Sequence, residues 1–276
     1  MTKILKKEQL SETIFRLRLE APRIARKRKA GQFVIIRISA DGERIPLTIA
    51  NADADAGWIE IIIQAVGEST NKLMTFTEND FINDLAGPLG TPAEIKNYGK
   101  VLCVGGGLGA APLFPIASAM KEAGNEITAI IGARSKDLVI LEDEFREITD
   151  KVFIATDDGS AGIKGFAADV IKKLIADGAN FDCAVVVGPP MMMKITSLVP
   201  IENGIKTFVS LNPIMIDGTG MCGGCRVSID GATKFACVDG PEFDASLVNW
   251  DELLNRLGGY AKIAEKNKGH KCKVGL

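Results

Sequence analysis

Along the first third of the chain, apolar and polar residues alternate in short runs: "FRLRLE" at 15–20, "GQFVIIRIS" at 31–39 and "GWIEIIIQAVG" at 57–67. A period of two puts every second side chain on one face, as in strands half-buried against a core. "ADG" at 40–42 and "ADADAG" at 52–57 punctuate these runs with residues that favour tight turns. Residues 1–98 are therefore expected to fold as an antiparallel β barrel or sandwich.

The pattern changes at Lys100. "KVLCVGGGLGAAPLFPIASAM" reads as an apolar strand, a glycine turn and a helix, and "EITAIIGARS", "KVFIATDDG" and "DCAVVVGPP" follow as short continuous apolar runs. Helical stretches such as "AADVIKKLIADG" separate them. Strands apolar on both faces and alternating with helices predict a parallel sheet covered on both sides, an α/β domain over residues 99–208. Residues 209–276 form a third segment. It includes the end of the short strand "KTFVSL" and holds a cysteine-rich region and the helical stretch "ASLVNWDELLNRLGGYAKIAEKN".

Composition narrows the function. A formal net charge of −2 over 276 residues offers no basic field for nucleic acid phosphates. No apolar run reaches the length of a membrane span, and the N-terminus is too charged for a signal peptide, so a cytoplasmic protein away from the membrane is expected. The single histidine, His270, makes histidine-based acid–base catalysis a poor candidate. Chemistry is expected from bound groups instead.

Three of the six cysteines lie close together in "MIDGTGMCGGCRVSIDGATKFAC", while Cys103, Cys183 and Cys272 are scattered. The arrangement is D-x4-C-x2-C-x11-C over Asp217, Cys222, Cys225 and Cys237. A plant-type [2Fe-2S] site is spaced C-x4-C-x2-C…C, so Asp217 stands where the first cysteine would be. Asp217 is either a fourth ligand or a turn residue, and zinc is the alternative to iron–sulfur.

In "GGGLGAAPL", Gly105, Gly106, Gly107, Gly109 and Ala110 sit where a strand hands over to a helix. Missing Cβ atoms let a diphosphate approach the backbone, and N–H groups with the helix dipole favour its charge. The string resembles the nicotinamide domain of the ferredoxin–NADP reductase superfamily. "VVVGPPMMM" resembles that superfamily's C-G-P-P-x-M element, with Gly188, Pro189 and Met191 beside the nicotinamide and Val187 in place of the cysteine. "IIGAR", ending at Arg134, resembles its adenosine-ribose element, and Asp157 and Asp158 of "TDDGSAGIKG" join the expected cofactor residues. Arg134 suits a 2′-phosphate, whereas Glu142 or Asp143 suits a free ribose hydroxyl; the resemblance implies NAD(H).

The barrel carries three further resemblances. "RIPLTIA" is similar to the flavin motif R-P-[IL]-[ST], implying that Pro46, Leu47 and Thr48 meet the flavin and that Arg44 neutralises its diphosphate, although Ile45 occupies the arginine's register. "VGESTNKL" resembles a second flavin segment, with Gly67, Ser69 and Thr70, and "GPLGTP" resembles the GPLG turn, with Gly87, Pro88 and Leu89. The bound flavin is expected to be FAD.

The implied architecture is a β-barrel flavin domain, an α/β parallel-sheet nicotinamide-nucleotide domain and a small C-terminal iron–sulfur module. With "CVDGPEF" starting at Cys237, the whole chain resembles the electron-transfer subunits of dihydroorotate dehydrogenases. Asp217, "RIPLT" and "GPPMMMK" look more like the small subunits of NADH-dependent reduced ferredoxin:NADP oxidoreductases and of sulfide dehydrogenases. That resemblance implies an oxidoreductase subunit with FAD, [2Fe-2S] and NAD(H), whose larger flavin and iron–sulfur partner handles NADP and ferredoxin by electron bifurcation. A zinc-stabilised interaction module is the alternative of a different class.

Overall fold

The computed structural model describes residues 1–266; His270 and Cys272 lie outside the described residues. The first segment runs β1 (Thr2–Gln9), β2 (Ile14–Glu20), α1 (Pro22–Ala25), β3 (Phe33–Arg37), β4 (Arg44–Thr48), β5 (Asn51–Asp53), β6 (Trp58–Gln64), α2 (Glu68–Met74), β7 (Phe81–Ile82) and β8 (Asp84–Leu89). Two antiparallel sheets result, ordered β5-β6-β2-β1-β7 and β4-β3-β8. The chain turns from one to the other at Ile49 and Ala50, whose amides donate to the carbonyls of Gln32 and Glu60. Alternation in β2 and β6 sends Phe15, Leu17, Leu19, Ile59, Ile61 and Ile63 into the barrel core. Ile14 and Ile62 face the other way and pack into the core of the next domain, which is why "IEIIIQ" carries an isoleucine between Glu60 and Gln64 on its outer face.

The second segment contains β9 (Lys100–Gly106), a 3-10 turn at Gly107–Gly109, α3 (Ala110–Glu122), β10 (Glu126–Ala133), α4 (Glu142–Ile148), β11 (Val152–Thr156), β12 (Ile163–Lys164), α5 (Ala167–Ala176), β13 (Cys183–Val187), α6 (Pro190–Glu202) and β14 (Lys206–Ser210). Its sheet is ordered β12-β11-β10-β9-β13-β14, with every neighbouring pair parallel. The chain leaves β9 in one direction as far as β12, then returns to start again at β13. That reversal makes the C-terminal ends of β9 and β13 a topological switch point, where ligands of open α/β sheets bind. Arg16 of β2 donates to Glu144 of α4 at 2.5 Å, tying this domain to the barrel.

The third segment adds β15 (Arg226–Ile229), β16 (Ala232–Phe235), β17 (Glu242–Asp244) and α7 (Trp250–Lys266). β17 joins the edge of the parallel sheet antiparallel to β14, whose end at Ser210 pairs with Glu242. Met215, Cys225, Val227, Cys237 and Phe243 share one continuous core with Leu102 and Val186 of the α/β domain and Phe33 and Ile35 of the barrel. The cysteine segment therefore folds onto both preceding domains instead of around a core of its own.

At this three-way junction, the carboxyl oxygen Oε1 of Glu242 is sealed from solvent without a hydrogen-bond partner. It lies 2.7 Å from where a Cβ on Gly31 would stand, beside the amide of Ala93. Burial pushes its pKa from 4.5 up to about 8. Below pH 4.5 both folded and unfolded chains carry the proton; between there and pH 8 only the folded chain keeps it. Stability therefore falls as pH rises through that window, each pKa unit being worth about 1.4 kcal/mol. Thermal midpoints of Glu242→Gln relative to the parent should rise progressively from pH 5 to about pH 8 and then level off; parallel curves would show that Glu242 is ionised throughout.

Candidate functional site

A cleft of about 980 Å³ opens where the barrel meets the C-terminal ends of β9 and β13. Gly106, Gly107 and Gly109 form its floor, with Gly188, Pro189 and Met191 beside them. Gly107 has φ +54 and no atom where its Cβ would project, so its backbone is open to a ligand. Gly109 is confined instead: a Cβ there would press on the Val187 carbonyl and stand 2.8 Å from Gly188 Cα. Gly105 and Ala110 support the loop from below, where a Cβ on Gly105 would meet Ala110 Cα at 2.9 Å. α3 starts directly behind, directing its unpaired N–H groups and positive dipole end toward the loop.

Met192 lies at the junction of both glycine segments. Its thioether Sδ is 3.0 Å from where Cβ atoms on Gly106 and on Gly188 would stand, so it fixes the spacing of the two loops. It occupies the methionine position of C-G-P-P-x-M, one residue after Met191, and alignment of the motif letter by letter would have selected it.

At the adenosine end, Arg134 and Asp157 both line the cleft. The Asp157 amide donates to the Ala133 carbonyl at 3.1 Å, placing the end of β11 against that of β10. Asp158 turns away and accepts from the amide and hydroxyl of Ser160, the hydroxyl first among the contacts that hold its carboxyl below the usual range. Glu142 and Asp143 begin α4 and are absent from the cleft's lining, whereas Phe166, not singled out from the sequence, belongs to it.

From the barrel, Pro46, Leu47 and Thr48 of β4 reach the cleft. Arg44 does not. It stands four residues back along the strand, about 13 Å at the usual rise, and lines a separate cleft of about 590 Å³ together with Asp84 and Asp217. Gly67, Ser69 and Thr70 lie outside the main cleft. The Thr70 hydroxyl accepts from the amides of Val66 and Gly67 at 3.0 Å and closes the N-terminus of α2. Gly87, Pro88 and Leu89 are also outside it; Leu89 packs against Gly218.

The third segment completes the wall, with Pro213, Met215 and Pro241 lining the cleft. Asp217 is two residues beyond Met215, and Cys237 four before Pro241. The Sγ atoms of Cys225 and Cys237 are 3.2 Å apart and unbonded, both buried, while Cys222 is exposed. Desolvation, then the neighbouring Cys225 thiol, pushes Cys237 up to about 12. Gly224 directs its amide at Cys222 Sγ at 3.4 Å, and Gly220 directs its amide at Cys237. Asp217 Oδ1 accepts from the Thr219 amide at 2.9 Å and Oδ2 from the Cys222 amide at 2.8 Å, contacts that hold its carboxyl below the usual range, that of Thr219 foremost. Among the described residues, no three ligand-type side chains converge on one point. The donor set fits an iron–sulfur group nonetheless: paired thiols, amides aimed at sulfur, and Gly218, Gly220 and Gly223 at positive φ in the wrapping loop. Cys103 and Cys183 are buried within β9 and β13, away from this loop. No helix among the described residues is long and apolar enough to cross a membrane.

Comparison with known proteins agrees with both halves of this site. Residues 1–93 match the oxidoreductase FAD-binding domain, and residues 212–249 match the iron–sulfur cluster binding domain of dihydroorotate dehydrogenase B. A homolog of the dihydroorotate dehydrogenase B (NAD(+)) electron transfer subunit from Thermotoga maritima is 51% identical over 260 residues, covering 94% of this chain and 92% of the relative. The electron transfer subunit of Fusobacterium nucleatum is 34% identical, covering 86% and 93%. A chain in the structure of an NADH-dependent reduced ferredoxin-NADP oxidoreductase, studied for flavin-based electron bifurcation, is 49% identical with a TM-score of 0.91, covering 97% of this chain and 95% of that one. The chain is thus an oxidoreductase subunit with FAD-binding and iron–sulfur-binding domains, and it belongs to the family of dihydroorotate dehydrogenase B-type electron transfer subunits.

Proposed function

We propose that this chain accepts hydride from NADH and passes electrons singly to a larger flavin and iron–sulfur partner, in an electron-bifurcating NADH-dependent ferredoxin:NADP oxidoreductase. The observation that carries the reading is shared backbone. The segments that close the nucleotide cleft at Met215 and Pro241 are the ones that lead into Asp217 and out of Cys237. Bound FAD supplies the conversion between two-electron hydride exchange and one-electron transfer, and a [2Fe-2S] group supplies the one-electron exit.

The chain's own residues bind and orient. Gly106 and Gly107 offer backbone amides to the dinucleotide diphosphate, and Gly109 lets that loop lie flat against Gly188. Met192 keeps the two loops apart by one thioether. Thr48 offers its hydroxyl to the flavin ring, with Pro46 and Leu47 packed beside it. At the far end, the Asp157 carboxylate favours free ribose hydroxyls over a 2′-phosphate, which supports NAD(H), while Arg134 neutralises the adjoining phosphates. Asp217, Cys222, Cys225 and Cys237 are the proposed cluster ligands. A carboxylate oxygen has two lone pairs and the loop uses one on each, so Asp217 can hold the turn and still donate to iron.

Exposed Ile214, Ile216, Met221 and Val238 surround the exposed Cys222, an apolar rim suited to the partner subunit. The experiment is purification of the native complex and assay of its products. NADP reduction dependent on both NADH and reduced ferredoxin is the expected result. Orotate formation without NADP reduction would instead assign the chain to a dihydroorotate dehydrogenase, the second reading its relatives' names support.

A further inference from the structure

The Gly87–Thr91 turn, expected from sequence to serve the flavin, makes its contacts elsewhere. On one side Leu89 Cδ1 lies 2.7 Å from where a Cβ on Gly218 would stand, next to Asp217. On the other, the Thr91 amide donates to the Gly240 carbonyl at 2.7 Å, and the Thr91 hydroxyl donates to the Val238 carbonyl at 2.8 Å. Val238 and Gly240 are one and three residues past Cys237, so the turn holds the cysteine loop at both its entrance and its exit. The turn is itself fixed to the barrel: Gln32 Nε2 donates to the Gly90 carbonyl at 2.8 Å, and the Gln32 side-chain oxygen accepts from the Lys29 amide at 2.9 Å. Gly90, at φ +82, has room for no Cβ, because one would stand 2.9 Å from the Phe33 ring and 3.2 Å from the Gly240 carbonyl.

We propose that this turn is the brace that fixes the cluster loop against the flavin barrel, and that Thr91 is a positioning residue for electron transfer between them. The inference rests on the reading that flavin and cluster exchange electrons. Three of the loop's glycines have positive φ, its buried residues pack into the core shared with the two larger domains, and the strap after Cys237 bonds back to its own segment through the Val238 and Asp239 amides, which donate to the Phe235 carbonyl. Thr91 adds two hydrogen bonds from the barrel side, to the Val238 and Gly240 carbonyls, and these register the strap against the barrel. With FAD and a [2Fe-2S] group bound as proposed, NADH would supply two electrons as hydride to the flavin, and each later transfer would move one electron from the flavin to one ferric iron held by Asp217, Cys222, Cys225 and Cys237. Only those later transfers depend on the strap's position.

The test uses the full-length chain purified anaerobically with its own cofactors, comparing the parent with Thr91→Val, Thr91→Ser and Gly90→Ala. Thr91→Val loses the hydroxyl bond and keeps the shape. Its amides at 238–240 should exchange several-fold faster with deuterium, its flavin should bleach with NADH at the parent rate, and freeze-quenched EPR should show cluster reduction lagging behind. Thr91→Ser should restore both exchange and cluster reduction, and Gly90→Ala should reproduce the Thr91→Val defect from the other side of the contact. Parent-like exchange and parent-like cluster reduction in Thr91→Val would overturn the proposal, as would slowed reduction that serine leaves unrescued. A parent chain containing flavin but no iron or sulfide would refute the electron-exchange reading instead, while the exchange comparison would still decide whether Thr91 holds the loop.

Discussion

Asp217→Ala is expected to yield a flavin-replete chain that has lost most of its iron and acid-labile sulfide. Two contributions disappear together: a ligand oxygen, and the carboxylate that holds the amides of Thr219 and Cys222 at 2.9 and 2.8 Å. Both amides are solvent-exposed, so water partly replaces the lost acceptor and the turn is loosened by less than the full worth of a buried charged hydrogen bond. Asp217→Asn and Asp217→Cys separate the roles. Asparagine retains one acceptor for the turn but no carboxylate for iron; cysteine restores a thiolate ligand and abandons the turn contacts. If Asp217 is a ligand, the cysteine variant keeps the cluster with a shifted spectrum and potential, because thiolate is softer than carboxylate, and the asparagine variant loses it. If Asp217 serves only the turn, asparagine, which keeps one of the two acceptors, retains more of the cluster than cysteine, which keeps neither. Iron and sulfide analysis with EPR on the three variants reads the difference.

Gly109→Ala should slow reduction by NADH about a hundredfold while leaving the flavin bound. A methyl group there presses on the Val187 carbonyl and on Gly188 Cα, which cannot retreat because β13 is held between β9 and β14. Overpacking of this kind costs about 1–3 kcal/mol. Because the methyl group moves the diphosphate loop away from the Gly188 wall, the larger effect falls on orientation: a shift of about 1 Å at a reacting centre can cost a hundredfold in rate. Stopped-flow bleaching of the flavin by NADH should fall by about that factor, with photochemical reduction of the same flavin unchanged. A rate within a factor of about three of the parent, corresponding to under 1 kcal/mol, would show that the loop relaxes freely and that Gly109 is not positioned as the structure implies.

Much of this architecture is visible in the residue pattern because it rests on local periodicity. Phe15, Leu17 and Leu19 alternate as a strand should, and "VLCVGGGLGAAPL" contains strand, turn and helix in order. β1 is harder to see: of its residues only Ile4 is fully buried, so the strand has no alternation to detect and exists because it pairs with β2. β17 is three residues long and depends wholly on pairing with β14, a contact between distant parts of the chain. The same reason hides Met215 and Pro241 as cleft residues.

Within the site, the glycines, Thr48 and the four proposed cluster ligands could be listed from spacing and resemblance, but their neighbours could not. Arg44 shares a motif with Thr48 yet lines a different cleft, because residues four apart on an extended strand are far apart in space. Glu242 is an unremarkable acidic residue in "DGPEF"; its sealed carboxyl arises only when three segments meet over a glycine without a side chain.

The central claim is that one chain holds a flavin and a [2Fe-2S] cluster in electronic contact. It is tested most directly by assaying flavin, iron, zinc and acid-labile sulfide on a single anaerobic preparation and recording its EPR spectrum after NADH is added. One flavin, two irons and two sulfides per chain, with a reduced-cluster signal appearing on NADH addition, is the expected result. Zinc without sulfide, and no paramagnetic signal after the flavin has bleached, would show that Asp217 and the three cysteines form a structural knot and that the electron path ends at the flavin.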